Sequence, residues 1–176
     1  MTTLVIGGAN SGKSAYAETL ALRMSGKTAP VYLATMHTSG TEAQARIAKH
    51  RRAREGKGFV TAECARSLDT CALPEETCVL LEDLGNLCAN ELYDGMRSLD
   101  AAYEAVLAGI RHVEKTSAHL VIVSVETALG GTEYDAETLR YLDVMGRLHA
   151  AIANDADNVC EVVCGMPVYY KGKEPV

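Results

Sequence analysis

Five apolar runs of strand length recur along this 176-residue chain, and each is continuous rather than alternating. Strands buried on both faces of a mostly parallel sheet have this pattern, whereas half-buried strands alternate apolar and polar positions. The later segment "CGMPVYYKG" predicts a tight turn into a short antiparallel edge strand. The predicted buried strands are "LVIGG" at 4–8, "PVYLAT" at 30–35, "CVLLED" at 78–83, "HLVIVSV" at 119–125 and "NVCEVVCG" at 158–165.

Helical patterns occupy the intervals between several of these runs. Residues 13–25 follow the first run directly, and residues 98–115 repeat apolar side chains every three or four positions behind a predicted N-cap at Ser98. Alternating strands and helices predict an α/β fold with helices flanking the sheet. No repeat or linker interrupts the pattern, so we expect a single domain over residues 1–176. Residues 134–154 have the same helical rhythm, at Leu139, Leu142, Met145, Leu148 and Ile152.

A further helix, predicted over residues 42–56, differs from the others because its apolar face is thin. Thr41 and Gln44 form a capping-box pattern at its start. The helical repeat places Arg46, His50 and Arg54 in one row along its surface. Six of the chain's 17 basic residues surround this histidine, although the formal net charge of the chain is −6; they are Arg46, Lys49, Arg51, Arg52, Arg54 and Lys57.

Composition narrows the class of protein. Hydrophobic residues make up 48% and charged residues 23% of the chain, as in soluble globular proteins, and no apolar run is long enough for a transmembrane helix. The start of the chain lacks the features of a signal peptide, so we expect a cytoplasmic protein. Its acidic balance argues against nucleic-acid binding. Six cysteines without a CxxC pair predict reduced, mostly buried thiols rather than disulfides or a metal site.

The strongest chemical motif is "GGANSGKS", which fits the phosphate-binding pattern GxxxxGK[ST] between a strand and a helix. Its glycines let backbone N–H groups approach phosphate oxygens, and the helix N-terminus adds a partial positive charge. Lys13 is predicted to reach the β- and γ-phosphates, and the Ser14 hydroxyl to bind Mg²⁺. The sequence therefore predicts a P-loop NTPase-like fold that binds a nucleoside triphosphate through Gly7, Gly8, Ala9, Asn10, Ser11, Gly12, Lys13 and Ser14.

A P-loop also needs an acidic residue at the end of a nearby strand to hold the metal. The run "CVLLED" ends on Glu82 and Asp83. Glu82 is the preferred candidate because it directly follows the buried apolar residues, but either carboxylate could instead be a solvated strand end.

The basic segment around His50 admits two interpretations. It could be a solvated basic face, or it could contact the triphosphate. Neighbouring guanidinium groups repel a second positive charge, which lowers the pKa of an imidazole and favours its neutral, nucleophilic form near pH 7. A neutral histidine beside bound phosphates can attack phosphorus and hold a phosphoryl or nucleotidyl group covalently. The arginines would stabilise the charge on those phosphates during attack.

Several motifs over nearly the whole chain resemble those of bacterial adenosylcobinamide kinase / adenosylcobinamide-phosphate guanylyltransferase, a bifunctional family of cobalamin biosynthesis. The element "RI-x-x-H-R", placed after the second strand, is more specific than the P-loop. The matching segments are "LVIGGANSGKS…YAE", "VYLAT", "E-x-x-x-RI-x-x-H-R-x-x-R", "T-x-E" at 61–63, "VLLE", "G-R-L" and "AD-x-V".

The resemblance implies two reactions and a set of residue roles. The family phosphorylates adenosylcobinamide with ATP or GTP, then transfers GMP from GTP to adenosylcobinamide phosphate through a guanylylated histidine, which His50 matches. It also implies a homotrimer. The family usually has asparagine where this chain has Val125 and His149, on the side expected to face the corrinoid. The positions that match the family's guanine-nucleotide contacts are Thr35, Met36, Arg51, Arg54, Glu63 and Glu82.

Two other functions remain open at the level of sequence. A P-loop kinase of another small alcohol would use the basic helix as a phosphate clamp and never modify His50. A non-catalytic regulator would bind GTP without consuming it, although the joint presence of Lys13, Ser14, Glu82 and His50 argues against this.

Overall fold

The computed structural model describes residues 1–36, 56–126 and 133–175. The strands in these residues form one seven-stranded sheet. The strands are β1 (Thr2–Gly7), β2 (Val31–Ala34), β3 (Val60–Glu63), β4 (Cys78–Glu82), β5 (His119–Val125), β6 (Asn158–Val163) and β7 (Met166–Lys171). The helices are α1 (Lys13–Met24), α2 (Leu84–Ala89), α3 (Leu99–Thr116) and α4 (Ala136–Asp155). A 3₁₀ turn covers Leu68–Thr70, and a π-helical turn, Asn90–Asp94, continues α2.

The sheet confirms the predicted mostly parallel α/β architecture. Its strand order is β3-β2-β4-β5-β1-β6-β7, and every pair is parallel except β6 with β7. All five predicted buried runs are strands, and the C-terminal segment is the predicted antiparallel edge strand. β3 was not predicted as a strand because its four residues lie at the sheet edge and are mostly exposed, so they carry no continuous apolar run.

Buried side chains cover both faces of the sheet. Val5, Leu80 and Val121 point to the face on which α1 packs through Ala17. Their sequence neighbours point to the other face, where the cores of α2, α3 and α4 pack. Successive side chains of a strand alternate between the two faces, so a sheet covered on both sides requires the continuous apolar runs seen in the sequence.

The long helices follow the predicted periodicity with one correction. Ser98 caps α3 as predicted, its hydroxyl accepting a hydrogen bond from the Ala101 amide at 3.3 Å. In α4, Met145, Leu148 and Ile152 of the predicted apolar repeat are buried in the core, but Leu139 of the same repeat is 53% exposed. The first turn of α4 lies at the surface, so the apolar repeat in the sequence extends beyond the part of the helix that packs on the sheet.

The remaining predictions on local structure are confirmed in part or lie outside the described residues. All six cysteines are free; Cys78, Cys88 and Cys160 are buried, but the other three are half-buried or exposed. The predicted helix at 42–56 lies outside the described residues except for Gly56, which is in a turn. Across the parts of the chain that the structure describes, no helix is long and apolar enough to cross a membrane.

Candidate active site at the carboxyl edge of the sheet

The segment between β1 and α1 folds into a tight phosphate-binding loop. The Ser11 amide donates a hydrogen bond to the Gly8 carbonyl at 3.2 Å, and Gly12 caps α1 with a φ of 93°. A side chain is disfavoured at this φ. A Cβ at Gly12 would also lie 3.0 Å from the Cα of Gly165, so close backbone approach requires glycine here.

The turn between β6 and β7 supports this loop from the side. The Gly165 amide donates to the Ser11 carbonyl at 2.8 Å, which ties the turn to the middle of the loop. At Gly7, an added Cβ would lie 2.6 Å from the Ser11 hydroxyl and 2.7 Å from the Val162 carbonyl. The loop conformation therefore depends on packing against β6 as well as on the glycines of the motif.

The N-terminus of α1 is arranged for an anion. No acidic residue lies in its first turn, so no protein carboxylate in that turn neutralises the partial positive charge of the helix end. The Ser11 hydroxyl is buried, and no hydrogen-bond partner for it lies among the described residues. Both features suit a phosphate group above the loop.

Lys13 lies against the loop that contains it. Its side chain is largely buried, and its ammonium group donates a hydrogen bond to the Gly8 carbonyl at 3.2 Å. The charge is therefore already held beside the backbone groups that the motif uses for phosphate binding.

Glu82, at the end of β4, contacts the start of α1. Its Oε1 accepts a hydrogen bond from the Ser14 hydroxyl at 2.7 Å, while its buried Oε2 has no hydrogen-bond partner among the described residues. Burial raises the pKa of this carboxyl to about 7, outweighing the Ser14 hydrogen bond and the Lys13 charge, which lower it. A hydroxyl beside a carboxylate whose second oxygen has no partner in the described parts of the chain is a donor set that suits Mg²⁺. Ser14 and Glu82 therefore fit the predicted metal site.

Asp83 has a different local role. Its side chain accepts a hydrogen bond from the Asn86 amide at 2.7 Å and thereby caps α2. Glu82, the preferred one of the two carboxylates, is hydrogen-bonded to the P-loop helix through Ser14.

Replacing Glu82 with glutamine is expected to stabilise the nucleotide-free protein near pH 8. The pKa of this carboxyl is about 7 in the folded state against an ordinary value of 4.5. As the pH rises, Glu82 therefore loses its proton in the unfolded chain before it does so in the folded protein. The free energy of unfolding falls as the pH rises between these two pKa values, by up to about 3 kcal/mol. Urea unfolding without nucleotide or metal should show the variant more stable at pH 8, with the difference shrinking towards pH 5.

Glu104→Gln is the matched control for this measurement, because Glu104 is exposed on α3. This control should unfold like the wild type at both pH values. A Glu82→Gln protein less stable than the wild type at pH 8 would contradict the assignment of a raised pKa.

The predicted contacts at the ends of β2 and β3 lie along the same sheet edge. Thr35 is fully buried, and its hydroxyl donates to the Asp83 carbonyl at 2.8 Å, so this hydroxyl holds the end of β2 in place. Met36 is half-buried, and Glu63 is exposed at the end of β3, in register with Ala34. Since neighbouring strands lie about 4.8 Å apart, β3 is roughly 10 Å from β4, within reach of one extended nucleotide.

Three other predicted site residues belong to the basic segment around His50. His50, Arg51 and Arg54 lie outside the described residues. Their roles stay predictions.

The structure adds a polar pair at the end of β5 that sequence reasoning did not find. The Ser124 hydroxyl lies 2.7 Å from Nε2 of His149 on α4, and burial lowers the pKa of this histidine against the opposing effect of Glu126. The Glu126 amide donates to the Gly7 carbonyl at 3.0 Å, which places this region beside the P-loop. In the sequence, His149 stands out only as a departure from the family pattern, and no local signal pairs it with a serine 25 residues away.

Comparison with protein families gives the decisive match. The model of the cobinamide kinase / cobinamide phosphate guanyltransferase family, CobU, matches residues 3–170. The chain belongs to this family. It is therefore an enzyme of the adenosylcobinamide kinase and adenosylcobinamide-phosphate guanylyltransferase type.

Curated relatives support the same assignment over their full length. The "bifunctional adenosylcobalamin biosynthesis protein CobP" of Pseudomonas aeruginosa is 35% identical, with 98% of this chain and 99% of the relative covered. The "bifunctional adenosylcobalamin biosynthesis protein CobU" of Salmonella typhimurium is 31% identical, with 97% and 100% covered.

A solved structure supports the predicted fold. The ATPase domain of G40P aligns with a TM-score of 0.53 at 15% identity, covering 91% of this chain and 68% of that one. At this identity the likeness shows the fold alone, and it confirms the P-loop NTPase-like architecture.

Proposed function

We propose that this protein phosphorylates adenosylcobinamide with a nucleoside triphosphate and then transfers GMP from GTP to adenosylcobinamide phosphate through a guanylyl-His50 intermediate. The main structural support is the contact between Ser14 and Glu82, which joins a P-loop helix to an acidic strand end in a chain of this family. The product would be adenosylcobinamide-GDP, made for adenosylcobalamin biosynthesis.

In the phosphorylation step, the hydroxyl oxygen of the acceptor attacks the γ-phosphorus of the triphosphate. The bond from this phosphorus to the bridging oxygen breaks, the nucleoside diphosphate leaves, and the hydroxyl proton is released. The loop amides and Lys13 hold the phosphates in line and stabilise the charge on the departing oxygen. Bound Mg²⁺, held by Ser14 and Glu82, would supply further neutralisation of the phosphate charge.

In the guanylyl transfer, a ring nitrogen of neutral His50 attacks the α-phosphorus of GTP. A nitrogen–phosphorus bond forms and pyrophosphate leaves. A phosphate oxygen of adenosylcobinamide phosphate then attacks the same phosphorus, which forms the new pyrophosphate linkage and regenerates the histidine. Arg51 and Arg54 are proposed to stabilise negative charge on the phosphates in both steps.

Separate assays of the two reactions test this proposal. Adenosylcobinamide with ATP or GTP should give adenosylcobinamide phosphate, and adenosylcobinamide phosphate with GTP should give adenosylcobinamide-GDP and pyrophosphate. Phosphorylation of another small alcohol, with no product in the second assay, would favour the alternative kinase. Tight GTP binding without turnover in either assay would favour a regulator.

By resemblance to the family, we also propose that the protein is a cytoplasmic homotrimer. Sedimentation equilibrium on the purified protein tests the oligomeric state. A monomer over the micromolar range would contradict it.

A further inference from the structure

Asn90 joins two chain segments that are distant in sequence. It is the first residue of the π-helical turn, and its side-chain Nδ2 donates hydrogen bonds to the Thr35 carbonyl at 2.8 Å and the Ala65 carbonyl at 2.9 Å. Thr35 follows β2, and Ala65 lies two residues beyond β3. A single amide group therefore links the segments that follow these two strands.

The neighbouring residue strengthens the same connection. Glu91 is buried, and its carboxylate accepts hydrogen bonds from the Ser67 amide at 2.6 Å and from Arg97 Nε at 3.0 Å. Between the strands, the Cys64 amide donates to the Ala34 carbonyl at 2.9 Å. Together these bonds hold the segment after β3 at a fixed place relative to the end of β2.

The amide of asparagine is well suited to this position. It carries two N–H donors on one planar nitrogen, so it can serve two carbonyl oxygens at once. An aspartate of the same size would place an oxygen against both carbonyls and repel them. Irregular π-helical turns of this kind occur often at functional sites.

We propose that Asn90 is a positioning residue for the guanine base, one that sets selectivity for GTP without contacting the nucleotide. The inference rests on the proposed function, because Thr35, Met36 and Glu63 are among the predicted guanine-nucleotide contacts. Glu63 is the last residue of β3, two residues before the Ala65 carbonyl that Asn90 holds. A carboxylate there can accept the two N–H donors of guanine's Watson–Crick edge. A shift of the end of β3 relative to β2 would weaken this recognition, whereas phosphate binding by the P-loop would be unchanged.

The test compares GTP with inosine triphosphate, which lacks the 2-amino group. The GTP/ITP ratio of kcat/KM for guanylyl transfer should fall roughly tenfold in Asn90→Ser and at least as much in Asn90→Asp, since one or two hydrogen bonds are lost. ATP-dependent phosphorylation should change much less. Asn154→Ala, an exposed asparagine at the end of α4, is the control and should keep the wild-type ratio.

A purely structural role predicts a different result. In that case both variants would melt at lower temperature and lose both activities equally, with the GTP/ITP ratio unchanged, and the inference would be wrong. If the wild type itself performs no guanylyl transfer, the proposed function fails; if it does and the ratio is unchanged in the variants, only the role of Asn90 fails.

A second measurement needs no substitution. In the wild type, GTP should slow hydrogen exchange of the Cys64 and Ser67 amides more than ITP does. Recognition of the 2-amino group should stabilise the segment after β3, which Asn90 and Glu91 hold in place. Equal protection by the two nucleotides would overturn the inference.

Discussion

Lys13→Ala should lower phosphorylation and guanylyl transfer together, each by about 10²–10³-fold. Both reactions use a triphosphate held by the loop, and the Lys13 ammonium lies beside the Gly8 carbonyl of that loop. The charge that builds up on the leaving phosphate oxygens would lose its closest cation. Initial rates with adenosylcobinamide and with adenosylcobinamide phosphate, measured at saturating nucleotide, give the two values.

Lys27→Ala is the matched control, because Lys27 is exposed after α1 and far from the loop in sequence. It should retain both activities. A Lys13→Ala protein that is folded and loses only one activity would show that the two reactions do not share the P-loop.

His50→Ala should abolish guanylyl transfer and leave phosphorylation largely intact. In the proposed mechanism the imidazole forms the bond to the α-phosphorus, and no other residue can replace that bond. In a serine protease, removal of the covalent nucleophile costs about six orders of magnitude in rate. Phosphorylation does not pass through the histidine, so its rate should stay within a few-fold of the wild type.

His112→Ala, on α3, controls for the loss of an imidazole elsewhere in the chain. It should carry out both reactions. Loss of phosphorylation together with guanylyl transfer in His50→Ala would mean that the basic segment acts as a general phosphate clamp, as in the alternative kinase.

The fold could be predicted from the sequence where residues act through local pattern. Continuous apolar runs located all the buried strands, and Ser98 located the start of a helix. β3 was not predicted because an exposed edge strand has no apolar run. α2 was not predicted because six residues are too few to show a helical repeat. The exposed Leu139 shows that periodicity does not reveal where the core ends.

In the site, too, residues that are adjacent in the chain could be predicted, whereas contacts between distant residues could not. The P-loop was predictable because its glycines, lysine and serine are adjacent in the chain. Glu82 was the preferred carboxylate from its place after the buried run, but its contact with Ser14, 68 residues away, needed the fold. Asn90 gave no signal at all: its acceptors lie 55 and 25 residues away, and both are backbone carbonyls that any residue could provide.

The covalent intermediate is the central claim, and intact-protein mass spectrometry tests it most directly. After incubation with GTP and Mg²⁺ and no acceptor, the wild type should gain the mass of one GMP per chain, and acid should remove it. Adding adenosylcobinamide phosphate should discharge the adduct, and His50→Ala should never form it. A wild type that releases pyrophosphate at full rate with no adduct, or a His50→Ala protein that still carries GMP, would contradict the account.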